Sequence, residues 1–238
     1  MRPQDGFAIL AAVALLNAAG CAPKTPPYGS ERSLFLPGDA RQSWAVAPVV
    51  NISGEQGVDP LLQADLVYQQ LQQVQGLTVV PVNRVAEVFA SLRINGVQSE
   101  DQAAIVCDLL GCDALVVATV TTFDPYNPPK FGGSVQLFAK PGNFARPASV
   151  DPRELSRSAS PGGVESLPNQ PKFLQAAGVF DATNGSVREA LAAYVAGRHE
   201  PLGPLGAKEY FVHMDRYAGF VYHTLIEDLL RKVEKAQR

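Results

Sequence analysis

The sequence predicts an α/β fold on the border with α+β, built on a mixed sheet of about five strands. The first observation is that strand and helix patterns alternate from residue 44 to residue 118, which favours parallel strands joined by right-handed crossovers. The second is that two further apolar segments, 134–139 and 173–180, follow with loops between them. The third is the helical spacing of apolar residues in 208–235, which predicts a long C-terminal helix on the sheet.

The first strands and helices are predicted from apolar runs and from residues that begin and end helices. The strands 44–50 and 114–118 are apolar on both faces, as expected for strands covered by helices on two sides. Pro48 lies inside the first of them, where proline removes a backbone donor. In chain order the predicted elements are strand 44–50, a helix from Pro60 to Gly76, strand 77–80, a helix from Asn83 to Asn95, a helix from Ser99 to Leu110, and strand 114–118.

Residues 184–196 carry signals for two different structures. Asn184-Gly185 is typical of a hairpin turn, which would continue into another strand. Ser186 to Glu189 matches a capping box, and the apolar residues that follow have helical spacing. We expect a helix over 187–196. The last helical region, 208–235, is expected to divide near Asp215.

Composition divides the chain into a leader, a tether and one domain. Residues 1–20 read as a signal peptide, because a weakly charged start precedes ten apolar residues, Phe7 to Leu16, and then small residues. Residues 21–43 are rich in proline and polar residues and are expected to form a flexible tether. Residues 44–238 form a single α/β domain, with a mobile insertion at 140–172 that is rich in proline, glycine and serine.

The segment Ala18-Ala19-Gly20-Cys21 ends the apolar run and resembles the lipobox of bacterial lipoproteins. The resemblance implies that Cys21 receives lipid, including palmitate-like acyl chains, after the signal peptide is removed. Two or more acyl chains anchor a protein stably to a membrane. Because Ala22 rather than Asp follows Cys21, the resemblance further implies an outer-membrane location facing the periplasm.

Charge and motifs exclude several classes of function. The net charge of −3 provides no basic surface for nucleic acid. The sequence contains no nucleophile elbow, no phosphate-binding glycine-rich loop and no histidine pair with metal-ligand spacing, so we expect no catalytic residues, metal or cofactor. Cys107 and Cys112 either form a disulfide, which an oxidising compartment allows, or remain buried thiols. The sequence favours neither alternative.

Two places remain as candidate sites. Asp181 directly follows the predicted strand 173–180, and ligands of α/β proteins often bind at the carboxyl ends of strands. The segment Asp124-Pro-Tyr-Asn-Pro-Pro129 is the other candidate, because proline fixes the backbone and a pre-ordered loop loses little entropy on docking. Tyr126 and Phe131 are the aromatic residues expected to bind a partner there.

Three motifs, in this order, resemble one family: Pro48-Val-Val-Asn-Ile-Ser-Gly54, Leu110-Gly-Cys-Asp-Ala-Leu-Val-Val117 and Asp181-Ala-Thr-Asn-Gly185. They are similar to the periplasmic α/β domain of the curli-secretion lipoprotein CsgG and of LpoB, the lipoprotein activator of a penicillin-binding protein. The resemblance covers roughly residues 44–185. It implies a mixed sheet with packed helices, and a role in envelope assembly through contacts with other proteins. The family usually has glycine where Ala118 stands, and it continues from the last turn into a strand.

The sequence therefore predicts an envelope lipoprotein that binds a protein partner and assists assembly without catalysing a reaction. The alternative is a lipid-anchored enzyme or small-ligand receptor that uses the strand carboxyl ends around Asp181. A deep pocket lined by converging ionisable groups would favour the alternative. A shallow surface with Tyr126 and Phe131 exposed would favour the first.

We expect Cys21→Ser to leave the protein unacylated, and therefore either soluble or retained as the precursor, because the thiol is the site of lipid attachment in a lipobox. Incorporation of labelled fatty acid would measure this. Undiminished labelling of the variant would contradict the lipoprotein interpretation.

Overall fold

A mixed six-stranded sheet forms the centre of the molecule, in the order β5-β2-β6-β7-β8, with β3 also paired to β6. The computed structural model describes residues 29, 33–38, 40–140, 173–199 and 202–237. The strands are β1 Leu34–Phe35, β2 Gln42–Val46, β3 Val50–Asn51, β4 Val74–Gln75, β5 Leu77–Val80, β6 Ala114–Asp124, β7 Lys130–Ala139 and β8 Phe173–Asp181. The helices are α1 Pro60–Gln72, α2 Val82–Leu92, α3 Glu100–Leu110, α4 Gly185–Val195, α5 Glu209–Val212 and α6 Met214–Gln237. The predicted fold class is confirmed.

One half of the sheet is parallel, because β2 pairs in parallel with both β5 and β6. The predicted strand 44–50 is two strands rather than one. Ala47 still donates to the carbonyl oxygen of Val116, but Pro48 has no N–H, and the N–H of Val49 turns to the carbonyl oxygen of Pro60. The chain then rejoins β6 through β3.

The other half is antiparallel and consists of β6, β7 and β8. β7 begins at Lys130, four residues before the predicted start at Ser134. The pair Gly132-Gly133 interrupts the apolar pattern, yet the strand continues through it. A Cβ atom at position 133 would lie 2.6 Å from the carbonyl oxygen of Thr119, so the close approach of β6 requires glycine here.

Helices cover both faces of the sheet. Helices α1, α4 and α6 pack on one face, around Trp44, Val116 and Tyr222, which are buried. Helices α2 and α3 pack on the other face, where Phe89 and Leu115 belong to a second apolar cluster. This arrangement explains why β2 and β6 are apolar on both sides.

The predicted helix after Asn184 is confirmed, and the alternative hairpin is wrong. The side-chain oxygen of Asn184 accepts the N–H of Ser186 at 3.0 Å, which caps α4. The predicted break in the C-terminal helix is present, but it lies at His213, whose backbone is extended, rather than at Asp215.

The folded chain begins earlier than residue 44. Leu34 and Leu36 are buried in the main core, and β1 pairs in parallel with β4. The expectation that all of 21–43 is a tether is therefore wrong for the part that includes 33–38, because its apolar side chains pack on the domain. Residues 1–28, with the signal peptide and Cys21, and residues 141–172 of the expected insertion lie outside the described residues.

No helix in the part of the chain that the structure describes combines the length and apolarity needed to cross a membrane.

Removal of the Phe131 ring should destabilise the domain, because the ring is fully buried in the main core. We expect Phe131→Ala to lower the free energy of unfolding by about 3–5 kcal/mol, measured by urea denaturation. Val179→Thr, on an exposed side chain of β8, is the control and should change it by about 0.5 kcal/mol or less. Equal effects of the two substitutions would contradict the packing described here.

Candidate functional site

The loop that joins β6 to β7 projects one aromatic side chain into solvent. Tyr126 is 80% exposed, the highest exposure of any aromatic residue among the exposed large side chains of the described chain. Its N–H donates to Oδ1 of Asp124 at 3.1 Å, which closes a local turn. Pro125, Pro128 and Pro129 fix their φ angles, and the Asn127–Pro128 peptide is cis.

Phe131 does not share this surface. Its side chain is 0% exposed and points to the core, where its ring meets the rings of Phe123 and Tyr222 edge-on, at centroid distances of 6.1 and 5.4 Å. The expectation that Phe131 is exposed beside Tyr126 is wrong. Pairing of β7 with β6 and β8 extends down to Lys130, and this register assigns Phe131 to the face that α6 covers.

The base of the loop is fastened to the end of β8. The N–H of Ala182 donates to the carbonyl oxygen of Pro129 at 3.0 Å. Nζ of Lys130 lies 2.7 Å from Oδ2 of Asp181. These contacts connect the first residue of β7 to the last residue of β8, so the loop starts and ends on paired strands.

Asp181 is engaged through both carboxylate oxygens. Oδ2 pairs with Lys130, while Oδ1 accepts the N–H of Thr183 at 2.9 Å and its hydroxyl at 2.7 Å. The hydrogen bond from Lys130, followed by those from Thr183, lowers the pKa of Asp181 to about 2. The same contact raises the pKa of Lys130. The carboxylate therefore acts as a brace for the turn that leads into α4.

Two cavities of the described residues have neither Asp181 nor Tyr126 in their lining. One of about 480 Å³ is an apolar groove between α4 and α5, lined by residues such as Leu191, Val195 and Phe211. A second of about 470 Å³ lies between Phe35 and the end of α6. Within the same residues, no group of three or more His, Cys, Asp or Glu side chains is placed to hold a metal ion.

Cys107 and Cys112 are free thiols and are both buried. The backbone N–H of Cys112 donates to the carbonyl oxygen of Cys107 at 3.0 Å, and both side chains belong to the same apolar cluster. The sequence left open whether the two cysteines form a disulfide or remain thiols. In the structure they are thiols that lie in the same part of the core.

Sequence reasoning identified Asp181 and Tyr126 but missed Lys130. Its role depends on the pairing of β7 with β8, which sequence does not display directly. The available signal was the segment Lys130-Phe-Gly-Gly-Ser-Val-Gln-Leu-Phe-Ala139, whose length and apolar content suit a full strand once the glycines are accepted inside it.

No protein-family model matches the chain, and no curated protein sequence matches it significantly. Solved structures do match. Lipoprotein GNA1162 from Neisseria meningitidis is 21% identical over 41% of this chain and 69% of that chain, with a TM-score of 0.30. The C-terminal domain of LpoB from Salmonella enterica is 12% identical over 43% and 75%, with a TM-score of 0.35. The PelC dodecamer from Paraburkholderia phytofirmans is 9% identical over 84% and 95%, with a TM-score of 0.37. LpoB is therefore among the solved structures to which the chain is similar, whereas the resemblance to CsgG stays a prediction.

The Lys130–Asp181 pair predicts a pH dependence of stability with two limbs. Because the pKa of Asp181 is lowered, its contribution is present above its unfolded value of 3.8 and is lost as the pH falls through about 2. Because the pKa of Lys130 is raised, its contribution is present below 10.5 and is lost as the pH rises through the raised value. Thermal unfolding followed against pH would measure both.

We expect Asp181→Asn to flatten both limbs relative to the wild type. Glu87→Gln, which removes an exposed ion pair with Arg84 on α2, is the control and should leave them in place. An Asp181→Asn curve that follows the wild-type curve at every pH would show that the pair does not brace the loop.

Proposed function

We propose that this chain is a bacterial envelope lipoprotein that binds a protein partner without catalysing a reaction. In this proposal lipid on Cys21 anchors it to the outer membrane, facing the periplasm, and the β6–β7 loop is the partner-binding element. The observation that carries the proposal is the 80% exposure of Tyr126 at the tip of a loop with fastened ends. The lipobox at Ala18–Cys21 supports the anchor.

The chemistry of the loop suits protein recognition. Tyrosine is among the residues that contribute most to protein–protein binding, because its ring buries a large apolar area and its hydroxyl forms a hydrogen bond. The prolines and the bond from Tyr126 to Asp124 hold the backbone before binding, so less conformational entropy is lost on docking. A flat recognition site of this kind needs no cavity.

The alternative, an enzyme or small-ligand receptor around Asp181, has less support. Both oxygens of that carboxylate already have partners, Lys130 on one side and Thr183 on the other. A ligand would have to displace an ion pair at 2.7 Å. Asp181 lines neither of the two cavities described above. These observations favour a bracing role for Asp181 over a catalytic or ligand-binding one.

Site-specific photo-cross-linking in intact envelopes tests the proposal. A photoreactive phenylalanine derivative at position 126 keeps an aromatic ring at the tip, so it should be tolerated. We expect it to give a discrete cross-linked product that contains one other envelope protein. The same group at Leu202, which is 93% exposed and not part of the loop, is the matched control and should give no such product.

Equal products from positions 126 and 202, or none from position 126, would contradict the proposal. Tyr126→Ala and Tyr126→Phe separate the ring from the hydroxyl in a competition version of the same experiment. We expect Tyr126→Ala to compete about tenfold less well than the wild type, as loss of a central aromatic contact predicts, and Tyr126→Phe to compete nearly as well.

A further inference from the structure

The end of helix α3 brings two cysteines together. Gly111 has a φ of 67° and caps the helix in the left-handed conformation. The N–H of Cys112 returns to the carbonyl oxygen of Cys107 at 3.0 Å, which completes a Schellman cap. In such a cap the side chains of the two bonded residues commonly touch, and here both side chains belong to one buried apolar cluster.

The surroundings hold both cysteines in place. Each is 1% exposed and belongs to the apolar cluster between α3 and the sheet. Asp113, next to Cys112, donates its N–H to the carbonyl oxygen of Ser43 at 2.7 Å, and its Oδ2 accepts the N–H of Ser43 at 2.8 Å. The backbone next to Cys112 is therefore held against β2, while Cys107 is held by its helix.

A cation and a carboxylate lie beside the pair. Nζ of Lys140 is 2.9 Å from Oδ1 of Asp108. The backbone N–H of Lys140 donates to the carbonyl oxygen of Asp113 at 3.0 Å. Interaction with the neighbouring Cys107 thiol, assisted by the charge of Lys140, lowers the pKa of the Cys112 thiol. The same interaction and burial raise the pKa of the Cys107 thiol.

We propose that Cys107 and Cys112 form a thiol–disulfide site that reacts with a small disulfide oxidant, with Cys112 as the attacking thiol. The Cys112 thiolate attacks one sulfur of the oxidant and forms a mixed disulfide, and the first thiolate of the oxidant leaves. The sulfur of Cys107 loses its proton and attacks the sulfur of Cys112, and the second thiolate leaves. The protein loses two protons and two electrons, and the oxidant is reduced to two thiols.

The residues that the bridge would join are already linked by the backbone hydrogen bond of the helix cap. The bridge would tie the end of α3 to the start of β6. The Tyr126 loop lies at the other end of β6, about 33 Å away for ten residues of strand, so the site does not depend on the proposed protein-binding function.

Reaction of the folded full chain with oxidised glutathione, followed by alkylation and peptide mass analysis, tests the proposal. The proteolytic peptide that contains both cysteines is compared before and after reaction. We expect it to become lighter by two hydrogen atoms and to resist alkylation. We expect Cys107→Ser to stop at a mixed disulfide with one glutathione on Cys112, because the resolving thiol is absent.

The Cys112→Ser variant tests the assigned roles. Its remaining thiol on Cys107 should form the mixed disulfide about tenfold more slowly than Cys112 does in the Cys107→Ser variant. Lys140→Gln should slow the reaction of Cys112 and move its pH profile to higher pH, which loss of packing alone would not do. Wild-type protein that keeps two alkylatable thiols under conditions where the unfolded chain is oxidised would overturn the proposal. So would faster reaction of Cys107 than of Cys112.

Discussion

Burial of β6 on both faces is the constraint on which the rest of the fold depends. Its residues alternate between two apolar clusters, with Val116 in one and Leu115 in the other. Helices must therefore cover both faces of this strand, and the crossovers that supply them make its pairing with β2 and β3 parallel. On its other side β6 pairs with β7 in antiparallel fashion. The change from parallel to antiparallel pairing occurs at this one strand.

The antiparallel side determines where the proposed recognition element lies. A parallel connection needs a long crossover, whereas an antiparallel one needs only a short loop, so β6 and β7 can present residues 125–129 directly at their ends. Phe131 packs under α6 at one side of the loop, and Lys130 binds Asp181 at its base. Tyr126 is thus exposed on a support that is itself buried and paired. The two cysteines occupy the opposite end of β6, where α3 delivers the chain into the sheet.

Sequence patterns predicted those elements whose signal is local. Strand β6 is apolar over both faces, and the caps at Asp59 and Ser99 mark the helices that follow them. The helix after Asn184 was predicted correctly from its apolar spacing, but its cap is Asn184 rather than the predicted box that begins at Ser186.

Features that depend on pairing between distant segments could not be predicted in the same way. The face to which Phe131 points follows from the register of β7, and a shift of one residue reverses it. Glycine is required at position 133 because β6 approaches it closely. β1 is only two residues long, and it is held as a strand by its pairing with β4, about forty residues later in the chain. Lys130 and Asp181 contact each other from the neighbouring strands β7 and β8, although a long segment of sequence separates them.

Backbone dynamics at Tyr126 test the central claim, that the fold holds this residue exposed in a fixed position. The generalised order parameter of its amide, from NMR relaxation of the isotope-labelled protein, can be compared with those of β6 and β7. A held loop predicts a value of about 0.85, equal to that of the strands. A value below about 0.6 at Tyr126, with rigid strands on either side, would contradict it.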